Sequence, residues 1–368
     1  MTEPTIPPVT SAPEALACAP DRGFVDWLAQ SGGSLLVSTY QAGKVLLLGW
    51  NGRQLTLLPR HFDKPMGLDV RDDRLLLATR HALSVFANAA PLAYEYREPG
   101  RYDALYLPRV TYQLSELHVH DVALTEDGIW MVNTRFSCLA SPSDRFTFVP
   151  RWQPPFISAL VPEDRCHLNG LALVDGQPGY VTALGTTDTV GGWRDNKAQG
   201  GVVIHIDSGE ILVQGLAMPH SPRWHRGTLW FLHSGAGELV QVDTQTGTCT
   251  TVCRLPGYLR GLTLVGDYAV IGLCKIRETQ IFGGMPIQER YPELRCGVAI
   301  VDLRSGAPVG MLTMTAGCTE LYDIRFLAGS RRPNLLNLDK PELKDAIAAP
   351  GCYYWLRPDK VIPDEPGR

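Results

Sequence analysis

KPMGLDV (Lys64–Val70), HVHDVAL (His118–Leu124), HLNGLAL (His167–Leu173), PHSPRW (Pro219–Trp224), YLRGLTL (Tyr258–Leu264) and ELYDIRF (Glu320–Phe326) read as six versions of one strand entrance. Aligned on Gly67, Asp121, Gly170, Pro222, Gly261 and Asp323, they recur at steps of 54, 49, 52, 39 and 62 residues. Repeats of roughly 40–50 residues with several strands each are the pattern of a β-propeller. Five entrances lead into a second strand: LLLAT (75–79), IWMVNT (129–134), GYVTAL (179–184), TLWFLHS (228–234) and YAVIGL (268–273). Hairpins such as VVIHIDSGEILV (202–213) supply third and fourth strands, with Asp and Gly at their tips as turn chemistry.

The sixth entrance has no comparable strands after it, whereas SLLVSTY (34–40), KVLLLGW (44–50) and QLTLLP (54–59) have no entrance before them. Joined, they make one complete blade. The expectation is an all-β, six-bladed propeller over residues 24–330, closed by pairing the N-terminal three-strand set with a C-terminal inner strand. Closure removes the open sheet edges. Residues 1–23 read as a flexible tail and 331–368 as an extension packed on the outside.

Thirty-four basic residues against 38 acidic, with no basic run, exclude the electrostatic footprint of a nucleic-acid binder. No run of 18 apolar residues supports a membrane span. MTEPTIPPVTSAPEALACAP lacks the basic and apolar segments of a secretory signal. Nine scattered cysteines show no paired zinc-knuckle spacing and read as buried thiols in a reducing, cytoplasmic setting.

In a four-stranded up-and-down blade, the loop into strand one and the loop from strand two to three share one end. Long segments at 97–117, 135–152, 185–201 and 275–296 are expected to crowd there, with Arg109 and Tyr112 near HVHD and GGWRDN as a mobile lid. Strand alternation brings two tiers to the channel mouth. One holds Met66, His120, Asn169, Ser221, Arg260 and Tyr322. The other holds Lys64, His118, His167, Pro219, Tyr258 and Glu320. A bend at Pro219 and Pro222 is expected to turn His220 inward.

Three readings of this cluster stay open. His118, His120, His167 and His220 suit a divalent transition metal, because neutral imidazole is a common ligand, with Glu320 orienting one ring. Alternatively, His220 moves protons and Arg260 neutralises an anion without a metal. In the third, the histidines merely satisfy backbone carbonyls of a wet channel. Asn133, Asn169, Asp188, Arg194, His233 and Tyr322 are candidate substrate contacts. Ser221 lacks the Gly-x-Ser-x-Gly context of a nucleophile.

At STYQAGK (38–44), FSCLA (136–140), PEDRCHLNG (162–170), MPHSPR (218–223) and LPGYLRGL (255–262), the chain resembles a family of bacterial conserved hypothetical proteins, across about residues 24–333. More loosely, the entrances resemble six-bladed propellers of the gluconolactonase and senescence-marker, NHL-repeat and virginiamycin-lyase kinds. Several of these use a metal in the central channel for lactone hydrolysis or elimination. No ligand set carries over residue by residue, so the resemblance implies the fold. The function expected is a metal-dependent hydrolase or lyase acting on a small polar or anionic substrate. The alternative is a non-catalytic scaffold for a protein or peptide partner.

Overall fold

Runs such as Leu75-Leu76-Leu77 and Leu46-Leu47-Leu48 are apolar without alternation, and all six leucines are buried. A strand with both faces covered needs such a run, and blades stacked face on face around a ring provide the cover. The computed structural model describes residues 15–276 and 283–356 and is a six-bladed β-propeller.

Counting strands from the channel outward, blade one is Leu68–Arg71, Arg74–Ala78, Ala82–Asn88 and Ala104–Gln113. Blade two is Val119–Thr125, Gly128–Asn133, Cys138–Ser141 and Val149–Trp152. Blade three is Leu168–Val174, Gln177–Ala183, Gly201–His205 and Ile211–Leu216. Blade four is Pro219–His225, Thr228–His233, Glu238–Val242 and Cys249–Arg254. Blade five is Tyr258–Val265, Tyr268–Cys274, Gly297–Asp302 and Pro308–Ala316. Blade six takes its inner strand, Asp323–Ala328, from the C-terminal part and Gly33–Thr39, Lys44–Trp50 and Leu55–His61 from the N-terminal part. The joint runs antiparallel in unbroken register from Gly33 opposite Ala328 to Ser38 opposite Asp323.

The expected tail of residues 1–23 is too long. Ala17–Pro20 adds a fifth strand to the outer edge of blade five. Asp21 then caps the helix Arg22–Gln30 by accepting the Phe24 N–H at 2.8 Å. This helix buries Phe24, Trp27 and Leu28, an apolar stripe at i, i+3 and i+4. Residues 1–14 lie outside the described residues.

The C-terminal extension packs on blade one. Pro333–Leu335 pairs parallel with its outer strand, and the hairpin of Ala346–Ala349 and Cys352–Trp355 stacks Trp355 on Tyr96. Residues 357–368 lie outside the described residues.

Two of the expected inserts are different elements. Residues 135–152 hold a tight turn and the third and fourth strands of blade two, so the long connection is 153–167, from blade two into blade three. Residues 97–117 include the ten-residue outer strand of blade one, Ala104–Gln113, which keeps Arg109 and Tyr112 at the rim of the ring rather than over the histidines. The inserts after Ala183 and Cys274 join second and third strands as expected, although residues 277–282 of the latter lie outside the described residues.

Candidate functional site

A one-residue bulge at the start of the inner strand shapes the channel mouth. Between Val119 and Val122 of blade two, the inner strand advances three residues while its neighbour advances two. The same extra residue occurs between His220 and Arg223 in blade four and between Leu259 and Leu262 in blade five. In blade three the inner strand gains its extra residue between Leu168 and Gly170. Bulges re-aim a side chain locally, and these turn one residue per blade toward the axis.

Equivalent hydrogen bonds define the equivalent residues. His120 Nδ1 lies 2.9 Å from the His118 carbonyl and 2.7 Å from Thr134 Oγ1. His220 Nδ1 lies 2.9 Å from the Met218 carbonyl and 3.1 Å from Ser234 Oγ. His220 is therefore the partner of His120, and the correct alignment in blade four is on Ser221, one residue before Pro222. Inward placement of His220 follows from this register rather than from a proline bend. The inner tier is Met66, His120, Asn169, His220, Arg260 and Tyr322. Lys64, His118, His167, Met218, Tyr258 and Glu320 sit above it. Ser221 leaves the tier and accepts the Gly261 N–H instead.

These tiers enclose a cavity of about 260 Å³. His118, His120, His167, His220, Arg194, Arg260, Glu320 and Tyr322 line it, as do Lys64, Trp193 and Asp164. The His120 and His167 rings meet edge to face at 4.7 Å, and Trp193 packs on His167 at 4.4 Å. Trp193 belongs to the insert after Ala183, so the glycine-flanked GGWRDN segment carries a buried wall residue.

Proton positions follow from the acceptors. Thr134 donates its hydroxyl to the Leu168 carbonyl at 2.6 Å, so it receives the Nδ1–H of His120. The Met218 carbonyl can only accept, which puts the proton of His220 on Nδ1 as well. His167 Nδ1 lies 3.0 Å from both oxygens of Asp164. All three rings thus have Nδ1 committed to a protein acceptor, leaving Nε2 without a hydrogen bond among the described residues. Acceptors that hold Nδ1 in this way orient imidazoles that ligate metals or move protons.

His118 is set apart from the other three. Its Nε2 stands 3.3 Å from Arg135 Nη2, and a guanidinium there competes with a metal cation for the same lone pair. Burial, then the neighbouring Arg135, lowers its pKa.

Burial holds His120 and His220 well below the usual imidazole range, reinforced at His120 by His167 and Arg260 and at His220 by Arg260. Both are neutral near pH 7. A depressed folded-state pKa means that the unfolded chain binds protons first as pH falls. Stability should therefore be lost as pH drops from the ordinary histidine value near 6.5 toward the folded value, by about 1.4 kcal/mol per pH unit for each ring. Urea titrations of chelator-treated protein at pH 7.5 and pH 5.5 will show this, and His220→Gln should lessen the slope. Equal stability at both pH values would contradict the placement.

The other expected contacts serve the scaffold. Asn133 is the buried last residue of strand two of blade two, and its Oδ1 receives the Phe136 N–H of the following turn. Asp188 pairs with Arg165 at 2.6 Å and receives the Ser158 N–H. His233 Nε2 receives the Ala217 N–H at 2.8 Å while Nδ1 faces Glu238. Asn169 lies beneath the cavity, donating to the Pro219 carbonyl and accepting from Thr182.

Sequence reading missed Asp164, which accepts from Trp193 Nε1 as well as holding His167. Its only signal was position, three residues before His167 in EDRCH. Also missed was the plug below the cavity. Arg223 bonds Asp121 at 2.8 Å and Asp323 at 3.4 Å. Arg325 bonds Asp323 at 2.6 Å and Asp121 at 3.3 Å, with Asp69 at 3.5 Å from its Nε. Five charges from blades one, two, four and six thus meet below the histidines.

Among the described residues, no three His, Cys, Asp or Glu side chains form a metal-holding group, and no helix is long and apolar enough to cross a membrane. No curated protein matches the chain. Among solved structures it is similar to a chain of the crystal structure of a nidogen/laminin complex, with 14% identity, TM-score 0.52, and 81% of this chain and 99% of that one covered. Streptogramin B lyase matches with 13% identity and TM-score 0.40, covering 78% of each chain. The Pan2 WD40 domain of Neurospora crassa matches with 12% identity and TM-score 0.37, covering 67% of this chain and 65% of that one. The match to one family model runs over residues 22–336, nearly the whole propeller with its capping helix, and the chain belongs to the DUF4915 family, a domain of unknown function.

Proposed function

We propose that the histidine-lined cavity is the active site of an enzyme of hydrolase or lyase type acting on a small, anionic substrate. The observation that carries this reading is the shared state of His120, His167 and His220, each with Nδ1 committed and Nε2 unengaged around one cavity. His167 Nε2 takes a proton from the substrate or an attacking water, and Asp164 at 3.0 Å from Nδ1 stabilises the imidazolium that forms. His120 and His220, too buried to protonate, offer acceptor nitrogens, and Arg260 neutralises the anion.

A second form of the reading adds a divalent transition metal, which would need Nε2 of these three rings to converge more closely than they stand in this structure. It is favoured by the acceptor that Nδ1 of each ring faces, which leaves Nε2 as the nitrogen a metal would take. The bound metal would act as a Lewis acid. Metal analysis of protein purified without a histidine tag tests this form, with a stoichiometric transition metal that disappears in a His120→Ala/His220→Ala variant as the expected result. Activity is tested by screening small lactones, esters and hydroxy acids for turnover. No turnover by the wild-type protein, with or without added zinc, manganese or iron, would sink the enzyme reading in favour of a scaffold for a protein or peptide partner.

A further inference from the structure

The floor of the cavity carries two groups that lack the partner their chemistry asks for. Tyr322 is 6% exposed, lines the cavity, and has a buried hydroxyl with no hydrogen-bond partner. A buried, unsatisfied hydroxyl carries a desolvation penalty that a ligand accepting its hydrogen bond would relieve. Arg260 lies with its guanidinium carbon 3.9 Å above the centre of the Tyr322 ring. It makes no hydrogen bond or ion pair within 4.0 Å among the described residues, although Glu320 acts on it electrostatically. The remaining charges below it are used: Asp121 and Asp323 are bonded to Arg223 and Arg325. The neighbouring His120 and His220 are neutral.

We propose that Arg260 and the Tyr322 hydroxyl form a subsite for one carboxylate, and that the substrate is a small carboxylic acid with an apolar body. This rests on the reading of the cavity as the functional site and names its substrate class. A guanidinium offers parallel N–H donors matched to a carboxylate, and the phenol adds a third donor. One cation and one hydroxyl suit a single negative charge. A phosphate dianion is held elsewhere by nests of backbone N–H groups or helix N-termini. The floor residues here stand instead at the entrances of inner strands.

Met66 beside these groups, and Leu184, Trp193 and Met218 above them, give the wall apolar surface. Unlike Arg260, Lys64 and Arg194 already have carboxylate partners, Glu116 at 3.9 Å and Asp164 at 3.7 Å. A volume of about 260 Å³ lies just below the range of drug-sized pockets, roughly 300–1,000 Å³, and limits the body to about the size of one ring.

Calorimetric titration with benzoate, with benzamide as its uncharged counterpart and with inorganic phosphate tests the proposal. Benzoate should bind at least about tenfold more tightly than benzamide, because a charge-assisted hydrogen bond contributes about 1.5–3 kcal/mol. Phosphate should not compete. Arg260→Gln should remove the preference, Arg260→Lys should restore part of it, and Tyr322→Phe, which deletes one oxygen, should lower benzoate affinity alone. Circular dichroism melts identify any variant that fails to fold, in which case the wild-type ligand comparison and Tyr322→Phe decide. Equal affinity for benzoate and benzamide, competition by phosphate, or no binding of benzoate would each overturn the proposal. His167-dependent turnover of a neutral compound without carboxylate preference would sink the subsite and leave the enzyme standing. Carboxylate preference that Arg260→Gln abolishes, with no turnover of any compound, would do the reverse.

Discussion

Asp323→Ala is expected to destabilise the protein by about 3–5 kcal/mol, because it removes the shared partner of the buried Arg325 and the half-buried Arg223. Arg223 and Arg325 both donate to Asp323 Oδ1, at 3.4 and 2.6 Å, and Oδ2 accepts the Leu68 N–H at 2.9 Å. The substitution therefore leaves a backbone donor unpaired and excess positive charge in the channel. Arg325 and Asp323 are 8% and 3% exposed, so water does little to screen the loss. A domain with a total stability of roughly 5–15 kcal/mol gives up a large part of it. Arg325→Met should also destabilise, whereas a solvated pair such as Arg226 with Asp267 should change stability by at most about 1 kcal/mol. Urea unfolding of the three variants is the measurement. A change at Asp323 no larger than that at Arg226 would show that the plug does not bind the blades together. Because the plug ties blade six to blades two and four, its loss should weaken the whole ring as one cooperative unit.

The second large effect falls on turnover. His167→Gln should lower kcat/KM by about 10²–10⁴, the usual contribution of a positioned acid or base. Asp164→Asn should lose part of the same amount, since it leaves the ring in place but removes the charge beside Nδ1 at 3.0 Å. Asp164 acts through His167, so a structural role and a positioning role separate by pH profile. The positioning role shifts the ascending limb of the pH–rate curve, while a structural one lowers the curve without moving it. His118→Gln should have the smaller effect, because Arg135 already occupies the neighbourhood of its Nε2. A greater loss at His118 than at His167 would reverse the assignment.

The blades themselves were legible because their determinants are local. Apolar runs of strand length, Asp and Gly at hairpin tips, and repeating entrances each report on a few neighbouring residues. Closure was legible by counting, since three strands without an entrance and one entrance without strands have one economical solution. His220 shows where local reading ends. Its position depends on a single extra residue in a bulge, and one residue exchanges the two faces of a strand. Nothing in PHSPRW says whether Ser221 or Pro222 is the equivalent of Asp121; the hydrogen bond of His220 to the Met218 carbonyl does.

The sequence alone determined that the chain is a ring of six four-stranded blades with imidazoles gathered at one mouth, because periodicity and turn chemistry act within each repeat. Only the tertiary structure decided which side chains meet. Asp164 stands three residues before His167, in a connection from which no site residue but His167 was expected, and Arg223 joins Asp121 and Asp323 across about a hundred residues on either side. The charges of the plug share no local pattern. They are neighbours because curvature of the ring carries distant inner strands to one axis, where burial demands that every charge find its opposite.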